Sequence, residues 1–523
     1  MKLFSVFLIL YILNENVDSY KFLAILPIPS RSHYYIGQNL MKGLAEDGHE
    51  VTVISPFKEK TPIKNYKEVF LEHNWVETQK YMAKDNFMDF ANLFFWDMTF
   101  AWYEAGMNFT KWTVSSRNLQ DFLKIKQHFD VVVVETNLND ALLGLGMHYN
   151  APIVAISAFG ANKWTTDLVG TPIFASYVPF TLNHFTDRMT FWQRMYNSLS
   201  FWFEDIVHPV YFIPNQQKQM EHLFPKAKNW PSLEEIRRNV SLVLLNTHVT
   251  LGTPRPYAPN MIEVGGMQIQ KEIEPLALRI QTFLDEAKDG AIFVSLGSNV
   301  LINKLPEQKL NAITNAFKAY PNYRILIKSD EHIVITSHKE ADVLVESWFN
   351  QQSILAHKNI KLFVTHGGLL STTEAVHFGK PLVGIPFFFD QYLNMYLAQQ
   401  RGYAQSVPIQ SLTADKITTA VDKVLSNPSY AEQAKLISDR FRDQPLTPLE
   451  TGKFWVKHVA KNKGAPHLRS VAVELPFYKL YNLDVWAFIC GVIAFCVFLL
   501  TKLIRALVFV LFGAKSTHKV KQS

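Results

Sequence analysis

Polar side chains stand at the ends of apolar runs in residues 362–391, an arrangement typical of a ligand site. One run ends at His366 before two glycines, a helical stretch carries Glu374, and a second run ends before Asp390 and Gln391. Glycines between a strand and a helix let a ligand approach the N–H groups of the helix, which attract an anion. We therefore predict a phosphate or diphosphate at the glycines, a ribose at Glu374 and a sugar at Asp390 and Gln391.

The elements that must position these side chains are apolar β-rich runs that alternate with helical ones. One set of runs begins at Tyr20 and comprises 20–27, 51–56, 129–135, 151–157 and 241–247. A second set begins near Gly290 and comprises 291–298, 323–329, 343–348, 361–366 and 381–387. Continuous apolar strands of this kind are typical of parallel sheets covered by helices on both faces. The sequence therefore predicts an α/β fold of two doubly wound, Rossmann-like domains that face each other across a cleft.

Composition supports a folded chain with large cores. Of 523 residues, 48% are hydrophobic and 19% are charged, which does not suit a disordered protein. The formal net charge of +6 is small for this length, and outside the C-terminus there is no dense basic block. We expect no nucleic-acid partner.

Both ends of the sequence predict a membrane topology. Residues 1–19 resemble a cleaved secretory signal, because Lys2 precedes an apolar run too short to cross a bilayer. Residues 485–501 carry no charge, and lysines and one arginine follow without any acid. By the positive-inside rule the tail is cytosolic, so we predict a single-pass type I protein. The final KVKQS resembles a dilysine retrieval signal and predicts the endoplasmic reticulum membrane.

Cysteines and sequons add two expectations for the lumenal part. The only cysteines, Cys490 and Cys496, lie in the predicted span, so the lumenal part is expected to fold without disulfides. Asn108 and Asn239 begin sequons that permit glycosylation.

Two strongly aromatic segments, 85–112 and 180–212, interrupt the alternation in the first domain. Internal packing is the simplest interpretation of most of these rings. Together they could also line an apolar pocket or touch a membrane surface.

Taken together, the spacing of the site residues resembles the signature of UDP-glycosyltransferases. The similarity extends to VSLGS (294–298), to DQP, FWVKHV and KGAPHLR within 443–469, and to the C-terminal anchor; LLST after the glycines is similar to the arthropod branch. The resemblance implies a GT-B type fold, a UDP-sugar donor and a small lipophilic acceptor, as in detoxification. It implies the following segments: signal peptide 1–19, acceptor-binding domain 20–267, linker 268–280, UDP-sugar-binding domain 281–440, helices returning toward the membrane 441–483, transmembrane region 484–512 and cytosolic tail 513–523.

The resemblance also implies roles for individual residues. Trp348 stacks on the uracil and Gln351 hydrogen-bonds it. The remaining donor-binding positions are Ser298, His366, Gly367, Gly368 and Ser371 for the diphosphate, Glu374 for the ribose, and Asp390 and Gln391 for the sugar. Family members commonly read W-x-P-Q-N-D, whereas this chain has Asn350, Gln352 and Ser353 at the three differing positions.

The expected reaction centre lies in the first domain. Transfer to a hydroxyl needs a base, and imidazole titrates in a suitable range. His33, just after the first strand, matches the position of the family's catalytic histidine. Its expected carboxylate partner is Glu135, which stands where many members have Asp and would fix the imidazole tautomer; Asp140 is the alternative.

The implied mechanism is a single displacement that inverts the anomeric carbon. UDP is expected to leave without a metal ion or other cofactor, because the helix N-terminus and His366 stabilise its charge. Vertebrate glucuronosyl members tend to carry an Arg at the position of Leu245. Its absence favours glucose over glucuronate, whose carboxylate would need a cation.

Two other functions are open to the sequence. The departures at 350, 352 and 353 suit a membrane-anchored small-molecule binder with a degenerate donor site. The Gly-x-Gly of residues 144–149 is a fragmentary match to a nicotinamide-dependent enzyme. The sequence predicts neither a particular acceptor nor an oligomeric state.

Overall fold

The computed structural model describes residues 19–82, 94–298, 300, 302–336, 338–339 and 342–513. Three predictions fall wholly or partly outside this range. They are the signal peptide, the first part of the 85–112 aromatic segment, and the cytosolic tail with its lysine signal.

The described residues form parallel strands and helices in alternation. The strands are β1 (Lys21–Ile25), β2 (Glu50–Ser55), β3 (Tyr66–Phe70), β4 (Val131–Glu135), β5 (Ile153–Ser157), β6 (Leu242–Leu245), β7 (Met261–Glu263), β8 (Ala291–Ser295), β9 (Arg324–Lys328), β10 (Val343–Glu346), β11 (Ile360–Thr365), β12 (Leu382–Gly384) and β13 (Ala404–Ser406). The α-helices are α1 (Arg31–Glu46), α2 (Asn74–Met82), α3 (Phe95–Val114), α4 (Arg117–Leu123), α5 (Gly144–Tyr149), α6 (Lys163–Val169), α7 (Phe191–Val207), α8 (Ile213–Leu223), α9 (Leu233–Arg237), α10 (Leu278–Asp285), α11 (Glu307–Phe317), α12 (Gln351–Ala356), α13 (Leu369–His377), α14 (Asp390–Gln400), α15 (Ala414–Ser426), α16 (Ser429–Arg442), α17 (Pro448–Lys461), α18 (Phe477–Leu480) and α19 (Leu483–Gly513).

The strands form two sheets with the same internal order. The first runs β3-β2-β1-β4-β5-β6-β7 and the second runs β10-β9-β8-β11-β12-β13. Every pairing is parallel. In each sheet the strand order reverses direction beside the strand that comes first in the chain, which is between β1 and β4 and between β8 and β11. Doubly wound nucleotide-binding folds have the same reversal. The predicted α/β fold of two Rossmann-like halves is confirmed.

Continuous apolar strands explain the two cores. All five residues of Val131–Glu135 are buried, and alternate valines contact opposite faces of the first sheet. Helices must therefore cover both faces, since neither face of such a strand can meet water. The second sheet is packed in the same way, with Val294 on one face and Phe293 on the other.

The reversal points bring specific strand ends together. Ile25 of β1 lies beside Val134 of β4, and Ser295 of β8 lies beside Thr365 of β11. Open α/β sheets bind ligands at such points, outside the carboxyl ends of the strands. Each half therefore has one crevice in which a site is expected.

The chain returns to the first half after completing the second. Helix α17 places Val456 and Val459 in the core of the first half, and Lys453 and Lys457 contact the Asp47 carboxylate at 2.8 and 2.9 Å. Helix α16 crosses the predicted domain boundary at 440, and α10 begins inside the predicted linker, at Leu278. The contacts divide the chain at Ser470, so the predicted segment 441–483 belongs to two units.

The second unit begins at Val471 and contains α18 and α19. Within the described residues, Leu483–Phe512 is the one helix long and apolar enough to cross a membrane.

Candidate active site

Most of the predicted site residues, from both halves, line one cavity, whereas Glu135, Asp140 and Gly367 are not among its wall residues. This cavity has a volume of about 1220 Å³, and its walls include His33 from the first half and His366 from the second. The other predicted residues in its walls are Ser298, Trp348, Gln351, Gly368, Ser371, Glu374, Asp390 and Gln391.

His33 and Glu135 meet at the reversal point of the first sheet. His33 lies in the first turn of α1, and Glu135 is the last residue of β4. The His33 Nδ1 and Glu135 Oε1 atoms are 2.6 Å apart. Glu135 is 2% exposed, and its Oε2 is buried without a hydrogen-bond partner in the described structure. A carboxylate in this position holds Nδ1 as the protonated nitrogen and leaves Nε2 available as a base.

Asp140, the alternative partner, contacts a different side chain. Its Oδ1 accepts a hydrogen bond from Arg237 Nε at 2.7 Å, and both side chains are buried. A buried ion pair of this kind stabilises the fold only while both charges remain. The His33 imidazole therefore contacts Glu135, whereas Asp140 contacts Arg237.

Glycines make room for His366 at the reversal point of the second sheet. A Cβ atom added at Gly368 would lie 2.4 Å from His366 Nε2, and one added at Gly297 would lie 2.5 Å from its Cε1. Gly297 and Gly367 also adopt φ of +86° and +80°, which favour glycine. Burial, with the nearby charge of Lys328, lowers the pKa of His366 to about 4. The imidazole is therefore neutral at physiological pH.

Helix α13 begins directly after these glycines. Gly368 is its N-cap, and no side chain caps the helix there. The N–H groups of its first turn have no partner inside the helix and carry its positive dipole end. This end of the cavity is therefore suited to a phosphate group.

Glu374 is buried one turn further along α13 and is bound by two amides. Gln351 Nε2 donates to its Oε2 at 2.7 Å, and Gln352 Nε2 donates to its Oε1 at 3.2 Å. Gln351 also donates to the hydroxyl of Ser371 at 3.3 Å. Burial raises the pKa of Glu374 to about 7. A ribose hydroxyl would add to, or replace, these amide contacts.

The three departures from the family pattern attach α12 to the connection between the halves. Asn350 Nδ2 donates to Glu274 Oε2 at 2.8 Å, and Ser353 Oγ donates to the Glu274 carbonyl at 2.7 Å. Gln352 Nε2 donates to the Gln268 carbonyl at 2.9 Å. The substitutions therefore have a structural role at the edge of the donor site.

Asp390 and Gln391 begin α14 and differ in their contacts. Asp390 Oδ2 accepts a hydrogen bond from Asn394 at 2.8 Å, and burial raises the pKa of Asp390 to about 6, against the opposing charge of His33 across the cleft. Gln391 Oε1 accepts from the N–H groups of Phe387 and Phe388 and so holds the loop in place. Asp390 is thus the better placed of the two to contact a ligand through its carboxylate.

Trp348 stands at the mouth of the donor site with its ring 50% exposed. The Lys328 Nζ lies 4.5 Å from the ring centroid, and the Arg31 guanidinium carbon lies 5.4 Å from it. Ser298 is exposed at the carboxyl end of β8. An exposed indole beside two cations suits a nucleobase that carries a diphosphate.

Sequence reasoning missed Lys328 and Phe389 in the cavity wall, whereas Trp102 belongs to the aromatic segment 85–112, for which an apolar pocket was one interpretation. Lys328 ends β9, a position at the carboxyl edge of the sheet that could have indicated it, and burial lowers its pKa to about 8. Trp102 and Phe389 come from opposite halves and pack with ring centroids 4.1 Å apart. Phe389 has φ of 53° and ψ of −134°, which no sequence signal indicates.

The remaining predicted positions lie away from the cavity. Asn239 is exposed and accepts a hydrogen bond from Arg469 at 2.9 Å, whereas Asn108 is half-buried in α3. The Gly-x-Gly segment forms α5, where a Cβ at Gly146 would meet Ile153 at 2.4 Å. Its glycine therefore serves packing.

Comparisons with known proteins agree with this arrangement. Residues 24–518 match the model of the family described as UDP-glucoronosyl and UDP-glucosyl transferase. UDP-glucosyltransferase 2 of Dactylopius coccus is 32% identical over 525 residues, covering 98% of each chain. UDP-glucuronosyltransferase 1A8 of Rattus norvegicus is 27% identical over 491 residues, covering 90% of this chain and 89% of that protein. The crystal structure of the glycotransferase of kitacinnamycin has the same fold, with a TM-score of 0.55 and 16% identity over 84% of this chain and 98% of that one.

Proposed function

The chain belongs to the family of UDP-glucuronosyl and UDP-glucosyl transferases, whose members transfer sugar from a UDP-sugar to an acceptor, and from this premise we propose that it transfers glucose to a hydroxyl of a small lipophilic molecule. His33 is the general base, and the anomeric carbon is inverted.

The observation that carries this proposal is the contact of 2.6 Å between His33 and Glu135 in a cavity that also contains the glycine turn at His366. His33 Nε2 takes the proton of the acceptor hydroxyl as its oxygen bonds to the anomeric carbon. The bond from that carbon to the diphosphate oxygen breaks at the same time, and the electron pair leaves with UDP. Glu135 stabilises the imidazolium that forms.

Charge on the leaving UDP is stabilised by the protein itself. The first turn of α13 offers N–H groups and a positive dipole end, neutral His366 offers a ring N–H, and Lys328 adds a cation beside Trp348. These groups support a reaction that requires no metal ion.

Glucose is favoured over glucuronate by the residue at position 245. Leu245 is buried in the first core and offers no cation to balance a sugar carboxylate. The acid that faces the sugar, Asp390, would instead repel such a carboxylate.

A lipophilic acceptor is supported by the rings beside the base. The rings of His33 and Phe159 meet edge to face with centroids 5.2 Å apart, and Trp102 lies between Phe159 and Phe389. This wall suits a flat apolar molecule with one hydroxyl.

We place the enzyme in the endoplasmic reticulum membrane, with its sites lumenal and its tail cytosolic. The support is the length and apolar character of Leu483–Phe512 together with the lysines that follow it.

The test uses microsomes that contain the full chain, incubated with UDP-glucose, UDP-glucuronate or another UDP-sugar and a library of phenols and other lipophilic alcohols. Mass spectrometry should find hexosylated products with UDP-glucose. The His33→Ala variant should bind UDP normally and lose transfer, while His73→Ala, at an exposed histidine, should behave like the parent. Equal turnover by His33→Ala and the parent would refute the assignment of the base.

One observation favours a second candidate, the small-molecule binder with a degenerate donor site. Gln351 and Gln352 already bind both oxygens of Glu374, where the ribose is expected. A folded protein that binds phenols but shows no UDP affinity and no product would support this function instead.

A further inference from the structure

Helix α7 has its polar and apolar faces reversed relative to an ordinary surface helix. Asn197, Ser200 and Glu204 are fully buried. The opposite side carries an exposed apolar stripe that continues into the π-helical turn 208–212. We define the exposed apolar stripe as Trp192, Met195, Leu199, Trp202, Ile206 and, in that turn, Val210. Spacings of three and four residues place these side chains on one helix face.

Specific hydrogen bonds fix the buried polar face. Asn197 Nδ2 donates to the carbonyls of Ala175 and Val178, both at 2.8 Å, and Asn197 Oδ1 accepts from the N–H of Phe180 at 2.7 Å. Glu204 Oε1 accepts from Trp164 Nε1 at 2.6 Å. Rotating the helix would break these bonds, because their partners lie in fixed positions. The outward orientation of the stripe therefore follows from the fold.

The exposure of the stripe is large. Trp192 is 69% exposed, Trp202 64% and Val210 70%. Arg194 and Asp205 are exposed charged residues of α7, and the stripe itself contains no charge. An apolar face of this size on a soluble surface marks a contact with another apolar body.

The stripe continues onto α3. Phe100 is exposed, and its ring lies 5.4 Å from that of Tyr211 and 5.8 Å from that of Phe203, measured between centroids. The neighbouring residues Ala101 and Trp102 line the active-site cavity. Helix α3 therefore connects the exposed apolar surface with the wall of the cavity.

We infer that the exposed apolar stripe lies in the headgroup region of the lipid bilayer that holds α19. The inference rests on the proposed membrane anchor. Residues 471–482 separate the first unit from Leu483, and a chain of this length reaches at most about 40 Å. A bilayer is therefore always within reach of the first unit. Two tryptophans on an apolar helix face are typical of membrane interfaces, where such a helix lies flat with its apolar face in lipid.

The test measures whether a fluorescent label at one stripe position of the full chain is in contact with lipid or with water. Cys490→Ser and Cys496→Ser together remove the native thiols, and Leu199→Cys or Leu436→Cys then receives a nitrobenzoxadiazole label. Leu436 is a matched control, because it is an exposed leucine on α16 of the second half. The chains are placed in phosphatidylcholine vesicles at about one chain per vesicle, so that contacts between copies are rare.

The label at 199 should be quenched by nitroxide-labelled lipid, and its quenching by iodide should be several-fold weaker than at 436. Equal iodide quenching at both positions in chains that float with the vesicles would overturn the inference and leave the anchor intact. Chains that do not float would refute the anchor and the inference together. Shielding that requires many chains per vesicle would assign the stripe to a second copy of the chain and overturn the inference.

A charge on the stripe gives an independent test. Trp202→Glu should restore iodide quenching of the label at 199 and leave the thermal unfolding temperature unchanged, because Trp202 is 64% exposed. A drop of several degrees would show that the stripe packs against the protein itself and would overturn the inference.

Discussion

The reversal points of the two sheets have the same topology and different chemistry. In the first half, β4 ends in the Glu135 carboxylate, which contacts the His33 imidazole in the first turn of the helix that follows β1. In the second half, glycines follow β8 and β11 and bring the start of α13 close to His366. One crevice thus holds a proton acceptor, and the other holds groups that attract a negative charge.

Under the proposed function, this difference divides a transfer reaction between two similar sheets. The proposed base is next to a fixed carboxylate, and side chains fill the first crevice. The proposed leaving group is large and anionic, and glycines leave space for it in the second crevice. The contrast leads to four predictions, given in order of decreasing expected effect.

The largest effect is expected at the carboxylate of the first crevice. Glu135→Gln removes the charge that stabilises the imidazolium, so kcat should fall by about 10²–10⁴-fold while UDP affinity is unchanged. Single-turnover transfer and calorimetric UDP titration measure the two quantities. Asp140→Asn is the matched control: it leaves buried Arg237 with Glu234 as its remaining ion-pair partner and should cost at most about 3–5 kcal/mol of stability. A larger loss of kcat per folded molecule in Asp140→Asn than in Glu135→Gln would reverse the assignment.

The second crevice should be sensitive to one methyl group. In Gly368→Ala the added Cβ would lie 2.4 Å from His366 Nε2, so the imidazole or the turn must move. Overpacking of this kind costs about 1–3 kcal/mol, and we expect UDP affinity to fall by roughly 5- to 100-fold. Gly160→Ala, where the nearest atom lies at 3.5 Å, should bind UDP like the parent. Unchanged UDP affinity in Gly368→Ala would contradict the role given to this turn.

The pH dependence of donor binding distinguishes the contribution of the sugar contacts from that of the nucleotide contacts. Burial raises the pKa of Asp390 to about 6, so its carboxylate is lost as pH falls through that value. The affinity for UDP-glucose relative to that for UDP should therefore decrease below pH 6, and Asp390→Asn should make this ratio independent of pH. Titrations with both ligands between pH 5 and 8 measure the ratio. A parent ratio that does not change over this range would remove Asp390 from the sugar site.

The smallest effect concerns the backbone between the two crevices. Phe389 has a positive φ that glycine adopts freely, and such a residue stores about 1–3 kcal/mol of strain. Phe389→Ala and Phe389→Gly both lose the ring contact with Trp102, and only the glycine relieves the strain. Phe389→Gly should therefore be more stable than Phe389→Ala by about 1 kcal/mol in chemical denaturation. If alanine is the more stable of the two, the loop is not strained.

Much of this arrangement could be predicted because it follows from local patterns. Val131–Glu135 is a continuous apolar run, so a buried parallel strand was expected, and His33 and Glu135 both stand where neighbouring strands end. Strand β3 was not predicted, because none of the residues of this edge strand is fully buried and it lacks an apolar run.

Other features depend on contacts that no local pattern shows. Helix α1 begins at Arg31, before the apolar periodicity starts, so His33 lies inside a helix rather than in a loop. The return of α17 to the first half depends on the distant Asp47. In α7 the aromatic residues were evident in the sequence, but their outward orientation depends on partners between Ala175 and Phe180.

The return of α17 has a consequence for how the halves are connected. The polypeptide passes between the halves twice, once before α10 and once between α16 and α17. Two covalent crossings restrict the separation of two bodies more than one crossing does, because each crossing limits the distance between its own ends. A break in the first crossing would still leave the second half attached to α17, which packs in the core of the first half.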